Sequence, residues 1–206
     1  LDILPTLKQV ELVPTDPPYG IGVSNAREIG YRGNNVYEPL DWDNGVPDAK
    51  TLQSIIGLAE NSIIFGGNYF TLKPSRCWYV WDKGEGFYNR TYAEAELAYT
   101  TFDRNVKIFK YDPLARGDYK GKKHPTQKPI ALFVWCLEQS KTTGTVLDPF
   151  LGSGTTAVAC MRLKRKCIGI ELEEKYCEIS AKRCEEARTG LTPSEQEAEQ
   201  GILFGE

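Results

Sequence analysis

The stretch VLDPFLGSGTTAVA, residues 146 to 159, and the CIGIE that follows at 167 to 171 constrain the fold most. A short apolar run ends at Asp148, glycines at 152 and 154 permit a tight turn, a helix-compatible run follows, and a second apolar run leads to Glu171. Alternating strands and helices favour the α/β class. Glycines at such a turn let the backbone approach a ligand, and a helix N-terminus offers free amides. An acid at the end of the next strand can accept hydrogen bonds from ribose hydroxyls. The unit therefore suits an adenosine-containing cofactor. No lysine follows the glycines, which excludes a triphosphate P-loop. The G-x-G-x-x-A spacing alone leaves a dinucleotide and another adenosine ligand equally open.

The rest of the chain repeats the alternation. Strands are expected at 10 to 15, 62 to 67, 76 to 82, 95 to 102, 105 to 111, 145 to 148 and 167 to 171, and helices at 48 to 60, 128 to 140, 154 to 164 and 173 to 188. The runs at 95 to 102 and 105 to 111 suggest an antiparallel hairpin around Asp103 and Arg104. Pro129 stands near the start of its helix, a tolerated position. Trp78, Tyr79 and Trp81 read as packing residues of one strand; Asn68 and Tyr69 follow a strand that ends in two glycines, the usual edge of a site. Residues 20 to 47 show no periodicity, and a loop of that length in a compact domain is usually functional or disordered. Length fits one domain at 1 to 188, with halves at about 1 to 110 and 120 to 188, and an acidic polar tail at 189 to 206.

Charge and cysteines narrow the partners. The net charge is −3, but residues 185 to 206 alone carry −5, leaving +2 on the body. Basic runs stand at 120 to 124, with Lys122 and Lys123, and at 162 to 166; they are compatible with nucleic acid and equally with solvated faces. Arg27, Tyr31, Arg32, Asn34 and Asn35 in the long loop are residue types that contact phosphates and base edges. Six cysteines without a CxxC pair, and a single histidine, argue against a metal site and for reduced thiols in a cytoplasmic protein. No apolar run is long enough to span a membrane.

The remaining signal is TDPPYG, residues 15 to 20, at the end of the first strand. TDPPYG, KHPTQKP, LDPFLGSGTTAVA and CIGIE, in that order, resemble the amino-group DNA methyltransferases that use S-adenosyl-L-methionine. The order is similar to the circularly permuted subgroup, the beta class, in which the catalytic motif precedes the cofactor motif. The resemblance runs to about residue 184 and implies a Rossmann-like doubly wound sheet, mostly parallel. It implies a flipped DNA base as substrate and a bacterial, archaeal or phage source. Asp16 and the carbonyl of Pro17 would accept the two N–H bonds of the target amine. Pro17 and Pro18 would stiffen the clamp, and Tyr19 would stack on the base. Asp148, Phe150, Gly152, Gly154 and Glu171 would form the cofactor pocket, and Thr126, Lys128 and His124 would close its methionine end. An acid at the first motif position leans toward adenine N6; cytosine N4 is the first alternative.

The family usually carries a further strand with an acidic residue before a segment like LDILPTL, and Leu1 stands inside that segment, so one cofactor contact falls outside this sequence. No separate recognition domain is visible, which assigns base reading to loops, to a second subunit of a homodimer, or to little specificity. An RNA or protein amine, an NAD-dependent dehydrogenase and an inactive DNA-binding module are the other readings. TDPPYG at a strand end is unexplained by a dehydrogenase, and the intact Asp16 and Tyr19 speak against an inactive module.

Overall fold

The computed structural model describes residues 3–21, 45–118, 124 and 126–190. Seven strands among these form one sheet: β1 (Val10–Thr15), β2 (Ala59–Phe65), β3 (Trp78–Asp82), β4 (Ala95–Thr100), β5 (Lys107–Lys110), β6 (Val146–Asp148) and β7 (Cys167–Gly169). Their order across the sheet is β5-β3-β4-β2-β1-β6-β7. All neighbours are parallel except β4, which runs antiparallel to both β2 and β3. The helices are α1 (Ala49–Gly57), α2 (Ile130–Ser140), α3 (Thr155–Arg162) and α4 (Glu174–Thr189). The mostly parallel α/β sheet with an antiparallel element is as expected, and each expected helix and strand exists within a few residues of its expected bounds.

One pairing differs. The runs at 95 to 102 and 105 to 111 do not form a hairpin, because β3 lies between β4 and β5. The connection crosses beneath the start of β3 instead of reversing beside β4. Arg76, just before β3, bonds Asp103 at 3.0 Å and Asn105 at 2.9 Å. Arg104 donates to the carbonyls of Gln139 and Ser140 at the end of α2, at 2.6 and 3.1 Å. These bonds draw the segment away from a turn, and β5 then pairs parallel to β3.

The core explains the order. Leu12, Ile63, Phe65, Tyr79 and Trp81 pack with Leu132, Phe133, Cys136 and Leu137 of α2 and Ala159 and Cys160 of α3. A second cluster gathers Val10, Val13 and Leu147 with Leu4 and with Ile55 of α1. Tyr79 and Trp81 are fully buried, in keeping with a packing role. Cys77, Cys136 and Cys160 are buried free thiols. α1 starts because the Asp48 side chain accepts the Thr51 amide at 2.7 Å, a helix N-cap. α2 opens directly after Pro129, and α3 after Gly154 in the left-handed region, φ 86°.

The parallel strands deliver their C-terminal ends to one edge: Thr15 before Asp16, Phe65 before Gly66, Asp82 before Lys83, Asp148 itself, and Gly169 two residues before Glu171. Antiparallel β4 starts at that edge, so its second residue, Glu96, opposite Trp81, arrives there as well. Among the described residues no helix is long and apolar enough to cross a membrane.

Candidate active site

A cavity of about 660 Å³ opens at this edge, between the ends of β1 and β6 and the turns that follow β6 and β7. Asp16, Pro18, His124, Thr126, Lys128, Asp148, Phe150, Gly152 and Glu171 all line it. Residues more than 150 positions apart in the chain thus share one wall.

The Gly turn is built tightly. Gly152 and Gly154 both take positive φ, 54° and 86°. A Cβ on Gly154 would fall 2.7 Å from Cβ of Ser180 on α4, so this glycine allows the turn to pack on α4 rather than lining the cavity. Arg183 of α4 holds the turn from behind, donating to the Ser153 carbonyl at 2.5 Å and to its hydroxyl at 2.9 Å. Glu171 closes the front: one oxygen accepts the Gly152 amide at 2.7 Å, and the other accepts the amides of Leu172 and Glu173 at 2.8 and 2.9 Å. Its carboxylate is thereby fixed at the cavity wall.

Asp148 is 2 % exposed. It accepts the Thr15 hydroxyl at 2.6 Å, the Thr156 hydroxyl and the Phe150 amide at 3.1 Å. Burial pushes its carboxyl up to about 6 against these hydrogen bonds, and the nearby Asp16 adds to the rise. Through the Thr15 hydroxyl, Asp148 is bonded directly to the first residue of the TDPPYG segment. His124 is buried, its Nδ1 shared with the amide and hydroxyl of Thr126 at 3.3 and 3.1 Å and its ring 4.3 Å from that of Tyr176.

Asp16 lines the same cavity. Oδ1 accepts the Tyr19 hydroxyl at 2.6 Å, and Oδ2 accepts from Lys128 Nζ at 2.5 Å. The Tyr19 ring stacks on Tyr69, centroids 5.0 Å apart and planes 14° apart, with Phe70 edge-on at 6.3 Å. Gly66 makes this possible, because a Cβ there would fall 2.1 Å from Tyr19 Cε1. Tyr69, named from its strand-end position, thus covers one face of Tyr19. Lys128, expected at the cofactor's methionine end, donates to the Asp16 carboxylate.

Lys128 is part of a larger cluster that sequence reasoning did not find. Its Nζ is also 3.2 Å from Glu96 Oε2, and Lys83 Nζ is 2.7 Å from Glu96 Oε1. Two ammonium groups and two carboxylates alternate, so their formal charges cancel. Burial works against the Glu96 carboxylate, but Lys128 and Lys83 outweigh it and hold it down at about 2. Burial also works against the Lys128 ammonium, which Asp16 and Glu96 nevertheless keep above the ordinary lysine range. Burial pushes the Asp16 carboxyl up, with Lys128 opposing. An ammonium seated between two carboxylates favours the charged form of all three groups. Burial and the Asp16 charge raise the Tyr19 phenol well above its usual range, so it stays protonated as the donor.

Arg27, Tyr31, Arg32, Asn34, Asn35, Lys122 and Lys123, and the tail beyond residue 190, lie outside the described residues. Among the described residues no group of three or more His, Cys, Asp and Glu side chains is placed to hold a metal ion.

A doubly wound sheet, a glycine turn after one central strand and an Asp-Pro-Pro-Tyr segment after its neighbour define a Rossmann-like protein of methyltransferase type. Residues 73–182, more than half the chain, match the DNA methylase family of N6/N4 methyltransferases, and the chain belongs to that family. That match includes the cavity residues from His124 to Glu171 and leaves Asp16 to Tyr19 outside it. The type II methyltransferase M2.LlaDCHI of Lactococcus lactis subsp. cremoris is 48% identical over 68 residues, 32% of this chain and 25% of the relative, so the match spans about a quarter of the relative's length. The M1.HpyAVI–SAM complex shares the fold with a TM-score of 0.55 and 23% identity, covering 88% of this chain and 92% of that one. The cytosine-N4-specific PvuII DNA methyltransferase also gives 0.55, at 17% identity, over 98% and 89%.

Proposed function

We propose that the chain transfers a methyl group from S-adenosylmethionine to an exocyclic amine of DNA, adenine N6. The observation that carries this is the seating of Asp16 on the wall of the same cavity that Asp148, Gly152 and Glu171 line. An amine acceptor and an adenosine-type pocket thereby share one space.

The residues fit the cofactor. A cavity of about 660 Å³ lies within the usual range for small-molecule sites. Glu171 offers a fixed carboxylate for ribose hydroxyls, Gly152 keeps the turn free of a side chain, and Asp148 offers buried acceptor oxygens beside Phe150. Thr126, Lys128 and His124 line the same cavity, with the His124 ring close beside Gly152. Bound there, the cofactor supplies a methyl on an already activated sulfonium, so the protein's task is positioning.

The amine is the harder partner. Its lone pair is delocalised into the base, and the nitrogen becomes nucleophilic only when its two N–H bonds are held so that it turns tetrahedral. Asp16 accepts one N–H, and the Pro17 carbonyl, on a backbone stiffened by Pro17 and Pro18, accepts the other. As the nitrogen gains positive charge, the Asp16 carboxylate stabilises it. Tyr19 offers a ring against which an extruded base can lie, backed by Tyr69. Arg27, Tyr31, Arg32, Asn34, Lys122 and Lys123 are the residues we assign to DNA.

Cytosine N4 is the second reading, because the family covers both amines; Asp16 at the head of the motif favours adenine. The test is incubation with methyl-labelled cofactor and mixed-sequence DNA, then nucleoside mass spectrometry. Labelled N6-methyladenine is expected, N4-methylcytosine would move the assignment to the second reading, and label in neither base would refute both.

A further inference from the structure

The engagement of Asp16 conflicts with its role as an amine acceptor. Tyr19 holds Oδ1 and Lys128 holds Oδ2 at 2.5 Å. Each oxygen has a second lone pair, but a short ammonium contact draws on the same charge that an incoming N–H must find. The contact with Lys128 has to loosen for the clamp to act at full strength.

Lys128 has a second seat. Glu96 Oε2 is buried and already lies 3.2 Å from its Nζ, a longer and less well directed contact than the one to Asp16. The other Glu96 oxygen is fastened by Lys83 at 2.7 Å, and Lys83 is itself buried, 5.2 and 5.3 Å from the ring centres of Trp81 and Phe87. Glu96 is therefore an anchored acceptor with one oxygen in reserve. A small rocking of the Lys128 side chain would exchange the Asp16 bond for a Glu96 bond. No charge leaves the cluster in the exchange, so the large cost of exposing or stranding a buried ion is avoided.

We propose that Glu96, anchored by Lys83, is a positioning residue for methyl transfer: it is the second seat for Lys128, which holds the Asp16 carboxylate and rocks onto Glu96 Oε2 when the target amine docks. This rests on the methyltransferase reading. The competing role for Glu96 and Lys83 is purely structural, a polar clasp between β3 and β4.

A double-mutant cycle in single-turnover transfer separates the two. Glu96→Gln keeps the shape and removes the charge of the second seat, which leaves Lys128 on Asp16. At saturating DNA and cofactor its transfer rate should fall about tenfold or more, while both dissociation constants stay within about twofold of wild type. In a Lys128→Met background there is no latch, and the same Glu96→Gln change should alter the rate by less than about threefold. Glu96→Asp, which keeps a carboxylate, should recover part of the loss. Equal losses in both backgrounds would overturn the proposal. So would a Lys128→Met protein that transfers nothing at saturating cofactor. If Glu96→Gln does not fold, Lys83→Met loosens Glu96 without touching Lys128; slower transfer with unchanged cofactor binding supports the latch, and a wild-type rate overturns it. A wild-type protein that methylates no DNA refutes the methyltransferase reading itself. Active wild type with an additive cycle refutes only the latch.

Discussion

Replacing Asp148 with asparagine should stabilise the cofactor-free protein at neutral pH while weakening its hold on the cofactor. Burial raises the Asp148 carboxyl to about 6. An ordinary aspartate titrates near 3.9, and the gap corresponds to about 3 kcal/mol. The sign follows from proton uptake. Between about pH 4 and 6 the native state holds a proton that the unfolded chain has released, so stability is full below about pH 4 and is lost as pH rises through 6. Asparagine carries no charge and escapes this loss. It still accepts through one oxygen, and the Thr15 and Thr156 hydroxyls can turn to accept from its amide, at a cost of about 1 kcal/mol for poorer hydrogen bonds. The net gain at pH 7 to 8 is then about 2 kcal/mol, roughly 4 to 8 °C in melting temperature for a chain of this size. Thermal denaturation of both proteins without cofactor, from about pH 4 to 8, reads the difference directly, because other titrating groups cancel in the comparison. The gain should vanish toward pH 4, and a difference independent of pH would refute a buried, ionised Asp148.

Gly66→Ala should slow methyl transfer more than about tenfold while leaving cofactor affinity unchanged, since a Cβ 2.1 Å from Tyr19 Cε1 forces that ring off Tyr69; calorimetry beside a transfer assay checks both halves. Glu171→Ala should weaken cofactor binding by on the order of 1.5 to 3 kcal/mol, the value of a charged hydrogen-bonding partner. An unchanged dissociation constant would remove Glu171 from the site. Replacing Arg27 and Arg32 together with alanine should weaken DNA binding and flatten its salt dependence with cofactor affinity intact; an unaltered salt slope in a binding titration would shift the DNA contacts to Lys122 and Lys123.

What the sequence made legible was local. Asp48 before a helix, Pro129 at a helix start and glycines before α3 each announce an element through chemistry within a few residues. The unit from Val146 to Glu171 was readable for the same reason, since its strand, turn, helix and acid follow one another in the chain. Pairing across the sheet is not local. The placing of β5 beside β3 depends on Arg76 meeting Asp103 and Asn105, and on Arg104 reaching the end of α2. No periodicity encodes those contacts, and two adjacent strand-like runs look like a hairpin. The Lys83–Glu96–Lys128–Asp16 cluster was hidden in the same way. Glu96 is the one charged residue of its strand, which was a signal of a buried partner, but only the reversed direction of β4 brings it to the edge where Asp16 stands.

The most direct test of the amine-clamp assignment pairs two measurements on Asp16→Ala. Calorimetric binding of S-adenosylmethionine should stay close to wild type, because Asp16 is assigned to the amine rather than to the cofactor. Transfer of labelled methyl to DNA should be abolished, with Asp16→Asn keeping a fraction because its amide oxygen can still accept. Methyl transfer by Asp16→Ala at the wild-type rate would contradict the assignment outright.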